Sequence, residues 1–166
     1  KMKKIVFMAV AAVMLLGLAL PLKSVSAEVV YTEVTLTFAG FAPVSPGEIR
    51  TTSGGMEFWR DVTNDVYYLA NDSRIQGWCR MVMNRNIRPD GSAQGHGTWR
   101  TNPDSVEDGY WAGIFTASMD STGFMTVKMT GKGHGSLEGL FFKGTLQSYS
   151  FGPINGVITE TPAYMP

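Results

Sequence analysis

Residues 110–148, YWAGIFTASMDSTGFMTVKMTGKGHGSLEGLFFKGTLQS, contain three segments in which side chains alternate in size and polarity. Turn-forming residues separate these segments at 120–123 (DSTG) and at 137–139 (LEG). The pattern predicts three consecutive antiparallel strands, at 110–119, 124–135 and 140–149. These strands decide the fold class, because side chains that alternate in this way belong to strands with one face on a core.

The chain on either side repeats the pattern. Residues 29–38 are rich in β-branched side chains and predict a half-buried strand, with Val34, Leu36 and Phe38 on one face. Residues 42–47 read as a loop because they contain two prolines and a glycine. Further short strands are predicted at 48–53, 74–84, 93–101 and 154–161.

Residues 56–69 allow two interpretations. Their apolar spacing fits one face of a helix, but Val, Tyr, Phe and Trp dominate the composition and no convincing cap opens a helix. The triplet Thr63-Asn64-Asp65 is a good turn between two strands. We therefore expect a hairpin here, with the helix as the alternative.

Eight or nine short strands at intervals of about ten residues, with no long helix, are typical of a β-sandwich or a closed barrel. Large residues and glycines share one face of the strands within 110–135. Such a face suits a barrel interior, where glycine allows strands to bend. The prediction is a single antiparallel eight-stranded β-barrel over residues 28–161, followed by a loose C-terminal tail at 162–166.

The first 27 residues predict a signal peptide. Lys1, Lys3 and Lys4 precede an apolar run at 5–20, and the small residues at 25–27 (VSA) suit signal peptidase. A retained anchor is the alternative, but the run is shorter than the roughly 20 residues that span a bilayer. We expect a secreted or periplasmic protein, bacterial from its simple Lys-rich start, with no stable membrane insertion of the mature chain.

The charge balance argues against nucleic acid as a partner. Removal of residues 1–27 leaves ten basic and fourteen acidic residues, a net charge of −4. Binding to phosphates requires a surplus of Lys and Arg on one face. Cys79 is the only cysteine, so no intramolecular disulfide can form, and its alternation with Met81 and Met83 favours a buried, unreactive thiol.

Four motifs resemble a family of secreted, mostly uncharacterised bacterial proteins grouped with the allene-oxide-cyclase-like barrels. The resemblance covers residues 93–161 and is carried by GKGHGSLEGL at 131–140, FKGT at 142–145, WAGIF at 111–115 and GVIT at 156–159. It implies an eight-stranded, lipocalin-like antiparallel barrel with a partly apolar cavity. Plant cyclases of this fold convert an unsaturated fatty-acid epoxide without a cofactor and form trimers. None of their catalytic residues aligns with a position here.

The polar motifs favour a structural role over acid–base catalysis or metal binding. His96 and His134 each stand between glycines, and alternation places both histidines on the solvent face if Trp99 faces inward. An acid–base or metal role with Arg100 or Glu138 is the alternative. The acidic loop with Asp104, Glu107 and Asp108 lacks the spacing of an EF-hand. We therefore expect no metal and no cofactor.

Methionine and aromatic side chains give the strongest functional signal. Seven of them fall on faces that a barrel would turn inward, namely Met81, Met83, Met119, Met125, Met129, Trp111 and Phe115. Methionine adapts to irregular apolar ligands. Filling of a closed core is the alternative. The predicted ligand cavity is lined by Trp111, Phe115, Met125, Met129 and Met81.

Three functions follow as hypotheses. The leading hypothesis is that the protein binds a small apolar molecule. An enzymatic function is not favoured. A cofactor-independent cyclase or isomerase would need a polar group in the cavity, for which Arg80 and Glu57 are candidates. A structural or assembly role in the cell envelope, or a homo-oligomer, is suggested by apolar residues on the opposite face, namely Tyr110, Ile114 and Phe124.

Overall fold

The computed structural model describes residues 29–160, and from Val30 onward these lie in strands or in the turns and loops between them. The predicted signal peptide and the predicted tail lie outside the described residues. Nine strands follow one another along the chain: β1 (Val30–Ser45), β2 (Glu48–Thr51), β3 (Glu57–Ala70), β4 (Gly77–Ile87), β5 (Ala93–Pro103), β6 (Gly109–Met119), β7 (Met125–Gly135), β8 (Leu140–Ser148) and β9 (Ile154–Glu160).

The strands form one antiparallel sheet whose hydrogen bonds run in a ring. The sheet order is β1-β9-β8-β7-β6-β5-β4-β3-β2, and β1 also pairs with β3. The first half of β1 pairs with β9 and the second half pairs with β3. The expected all-β antiparallel architecture is confirmed, but the strand count is nine rather than eight.

The ninth strand arises from an interruption between β1 and β2. Ser45 faces Thr63 on β3, and three residues later Glu48 faces Arg60, so both strands follow the same ladder along β3. Proline at 46 lacks an N–H to donate, and Gly47 adopts a φ of 62°. A Cβ at Gly47 would collide with the backbone of β3. The predicted loop at 42–47 is therefore wrong in its first part, since β1 continues to Ser45.

The expected hairpin at 56–69 is also wrong, as is the helical alternative. β3 runs through this region as one strand, and Asn64 pairs with Met81 of β4 and Pro43 of β1. The irregular apolar spacing comes from a bulge, where the register shifts between Trp59 and Val62 and Asp61 adopts a φ of 54°. Pairing on both sides of β3 overrides the local turn signal.

One end of the ring is a packed core organised by aromatic side chains that lie over glycines. Trp99 lies against Gly113 and Gly131, where a Cβ at Gly113 would lie 2.7 Å from the indole nitrogen. That nitrogen donates to the carbonyl oxygens of Ile114 (3.2 Å) and Thr130 (3.1 Å). Phe142 packs edge-on against Trp99, with 5.8 Å between ring centroids. The mixture of large residues and glycines in the sequence thus reflects close packing across neighbouring strands.

Candidate functional site

The other end of the ring encloses a cavity of about 500 Å³. Every strand except β2 contributes to its wall, from Phe38 of β1 to Ile154 of β9. Its volume falls within the range of ligand pockets, roughly 300–1,000 Å³. Five flexible thioether side chains contribute to the wall, those of Met81, Met83, Met119, Met125 and Met129.

The floor of the cavity separates it from the packed core. Phe115 and Met129 are buried there, together with Leu146 and Ile154 from β8 and β9. Phe115 lies against Gly97, where a Cβ would come within 2.7 Å of the ring. The floor is therefore fixed by close packing, which defines how deeply a ligand can enter.

Exposed aromatic side chains also contribute to the cavity wall. Phe38 stacks on Phe151 with 5.6 Å between ring centroids. Phe151 is 75% exposed and Phe41 is 57% exposed, although both line the cavity. Phe41 and Phe151 mark a side at which the cavity meets solvent, because each of them lines the cavity and is exposed at the same time.

A few polar groups face the apolar interior. Tyr68 donates its hydroxyl to the Sδ atom of Met81 over 3.9 Å, a weak bond, and burial raises the pKa of this phenol. Arg85 is the one charged residue in the wall, and burial lowers the pKa of its guanidinium. Asn64 shares the inner face of β3 with Tyr68, whereas Gln94 and Ser118 are exposed residues of the outer face that border the cavity.

Four of the five predicted cavity residues line this space: Met81, Phe115, Met125 and Met129. Trp111 does not, because it lies with 0% exposure in the packed core and donates its indole N–H to the carbonyl oxygen of Arg74 at 2.7 Å. A ligand-binding role for the four residues stays a prediction. Sequence reasoning missed Tyr68, because it lies within the segment that was interpreted as a hairpin.

Neither of the two polar candidates proposed for cyclase chemistry lines the cavity. Arg80 lies on the outer face and forms a two-pronged ion pair with Asp65, with both N–O distances at 2.9 Å. This pairing holds the pKa of the Asp65 carboxyl below its usual range. Glu57 accepts a hydrogen bond from the indole nitrogen of Trp59 at 2.8 Å. The polar groups that face the cavity instead include those of Tyr68 and Arg85.

The two histidines lie on the outer face of the sheet. His96 is exposed, and His134 stacks on Tyr110 with 4.7 Å between ring centroids. Arg100 covers Tyr110 as well, with its guanidinium carbon 3.8 Å from the ring centre. Within residues 29–160 no group of three or more His, Cys, Asp or Glu side chains is placed to hold a metal ion.

Cys79 is buried, as its alternation predicts. Its side chain has no exposed surface, and burial raises the pKa of the thiol to about 12. In the acidic loop, Asp104 accepts a hydrogen bond from the hydroxyl of Tyr67 at 2.5 Å, which raises the pKa of that phenol.

The proposed apolar outer face is partly covered. Tyr110 lies between Arg100 and His134, and Phe124 packs edge-on against Tyr149 with 5.0 Å between ring centroids. Only Ile114 of the three predicted residues is openly exposed, at 61%. Phe141, exposed as well, lies beside Ile114 on this face, and an assembly role through it stays a prediction.

No protein-family model, curated protein or solved structure matches this chain. In the part of the chain that the structure describes, no helix is long and apolar enough to cross a membrane.

Proposed function

We propose that this protein binds a small apolar molecule inside a β-barrel of the allene-oxide-cyclase-like type. The observation that carries the proposal is the methionine-lined cavity of about 500 Å³. Thioethers are polarizable and can adapt their rotamers to irregular apolar shapes. A wall of this composition suits a ligand whose surface is mostly apolar.

Core filling is the alternative explanation for these side chains. Protein interiors are close-packed, and voids larger than a water molecule are few. Met81, Met83 and Met125 are only partly buried, although they belong to the inner face and contact the core. Their incomplete burial favours a binding space over a core that is merely filled.

The proposal includes the compartment. Residues 1–27 direct export through the secretory route, so that the barrel acts in the periplasm or outside the cell. Apolar molecules are poorly hydrated in these aqueous spaces, so a protein with an enclosed apolar cavity can hold them. The partner is therefore a small apolar ligand and not a nucleic acid.

The test measures binding of a neutral apolar dye, Nile red, to the mature protein and to two tryptophan variants. Ala117 lines the cavity, whereas its neighbour Thr116 is exposed on the outer face. Ala117→Trp should fill the space and weaken dye binding by at least about tenfold, while Thr116→Trp should leave it unchanged. Both variants should keep a cooperative thermal transition. Equal dye affinity in Ala117→Trp and wild type would contradict the proposal.

A cofactor-independent cyclase or isomerase is the second candidate, favoured by the polar groups that face the cavity. This chemistry requires a polar group in the cavity. Tyr68 and Arg85 line the cavity, whereas Arg80 and Glu57 do not. Such an enzyme would turn over an unsaturated fatty-acid epoxide, and Tyr68→Phe would slow that reaction without loss of dye binding. Chromatography of the products with and without protein separates this candidate from simple binding.

A further inference from the structure

Arg85 places a charged side chain in the wall of a mostly apolar cavity, and binding of an apolar molecule does not require one. It lies on the inner face of β4, two residues beyond Met83 and four beyond Met81, and it is the one charged side chain in the wall. Opposite it on β3 lies Trp59, whose ring stacks under the guanidinium with 3.7 Å from the guanidinium carbon to the ring centre. A permanent positive charge therefore borders the methionine surface.

The guanidinium of Arg85 lacks the partners that other arginines have. Its Nε atom is buried without a hydrogen-bond partner, the one such buried side-chain nitrogen or oxygen within residues 29–160. Arg74 and Arg80, by contrast, form ion pairs with Asp72 and Asp65. A buried donor without a partner costs free energy, and a charged one costs more.

Among the described residues no carboxylate forms an ion pair with Arg85. Glu57 is the carboxylate that acts on it electrostatically, but this residue makes its hydrogen bond to Trp59 and forms no ion pair with Arg85 among the described residues. A second cation, Arg60, lies alongside and donates to the carbonyl oxygen of Arg85 at 3.1 Å. The local charge thus favours an anion.

We propose that the ligand carries one anionic oxygen head group, which Arg85 binds while the apolar body lies among the methionines. The inference rests on the proposed function and narrows it to amphipathic anions. A guanidinium donates two parallel hydrogen bonds to a carboxylate or a phosphate, and both are strengthened in an apolar site. An anion here would supply the partner that the protein itself does not provide.

The alternative is that Arg85 has only a structural role, as a cation stacked on Trp59. Such contacts contribute to stability without any ligand. The two roles differ in one measurable respect, because a structural arginine has no influence on the choice between a charged ligand and a neutral ligand of the same length. The experiment therefore compares matched ligands and not stability.

The experiment displaces Nile red from the mature protein with dodecanoate, dodecyl phosphate and dodecanol. Wild type should prefer at least one of the anions over the alcohol by about 10- to 100-fold, which is the contribution of charge-assisted hydrogen bonds. Arg85→Met keeps an unbranched side chain and should abolish the preference, whereas Arg85→Lys should keep part of it. Arg80→Met, on the outer face of the same strand, is the matched control and should behave as wild type.

The outcomes separate the inference from the function on which it rests. Equal displacement by alcohol and anions in wild type would overturn the role of Arg85 and leave apolar binding intact. An anion preference that survives in Arg85→Met would also overturn it, because another group would then hold the head group. Absence of any dye binding would overturn both. The anion whose affinity falls further in Arg85→Met identifies the head group as carboxylate or phosphate.

Discussion

Cys79 shows how burial controls the chemistry of one side chain. The thiolate is the form that reacts with alkylating reagents, and burial raises the pKa of this thiol to about 12. At pH 8 the folded protein should therefore keep Cys79 protonated and unmodified by iodoacetamide, whereas the protein in guanidinium chloride should be alkylated fully. Intact-mass spectrometry distinguishes the two states. Rapid alkylation of the folded protein would show that β4 opens locally or that the thiol is accessible.

Single residues also show what alternation can and cannot predict. Alternation gave the face of Cys79 and of Met81 correctly, because successive side chains of a strand point to opposite sides. Alternation does not show whether an inward side chain lies in the packed core or beside the cavity. The prediction therefore places Trp111 in the cavity wall, although it lies in the core. Alternation does not place Arg85 in the cavity wall either, since a charged residue near a strand end is usually solvated.

At the level of elements, β5, β6 and β7 are held together by one indole ring over two glycines. Trp99 on β5 reaches across Gly113 on β6 to Gly131 on β7, and its N–H bonds to carbonyl oxygens on both strands. A Cβ at Gly131 would collide with the ring. Gly131→Ala should therefore lower the free energy of unfolding by roughly 1–3 kcal/mol, the usual cost of overpacking a core.

Chemical denaturation with urea measures this loss, and Gly54→Ala is the matched control. Gly54 lies in an exposed turn, and the nearest atom to an added Cβ would be the hydroxyl oxygen of Thr52 at 3.9 Å. That variant should stay within about 0.5 kcal/mol of wild type. A Gly131→Ala protein as stable as the control would mean that Trp99 can move aside without losing its contacts.

Elements were predicted well where their pairing is local. β6, β7 and β8 are joined by short turns, and their boundaries fall within a residue of those expected from 110–148. β3 was mistaken because its pairing partners include β1, which is distant in sequence, and because its bulge at Asp61 disturbs the apolar alternation. The local preference of Thr63-Asn64-Asp65 for a turn is weaker than the hydrogen bonding of β3 to a neighbouring strand on each side.

For the molecule as a whole, the cavity follows from ring closure, which no local pattern predicts. The wall combines Phe38 near one end of the sequence with Ile154 near the other, and β1 brings them together by pairing with both β3 and β9. Composition indicated that methionines were available to line an interior. Which of them surround empty space depends on how the strands pair over long distances, so that part of the site required the structure.

Closure of the ring also predicts how the molecule exchanges its amide hydrogens. Because β1 pairs with β9 along its first half and with β3 along its second half, the amides that it directs at these partners should be protected to within about tenfold of those in β6 and β7. β2 pairs only with β3, so its outward amides should exchange at least about 100-fold faster. Hydrogen exchange followed by NMR resolves these strands. Fast exchange confined to the facing amides of 38–45 and 63–68 would mean that the ring opens between β1 and β3, and the cavity would then admit ligands through that seam and not past Phe41 and Phe151.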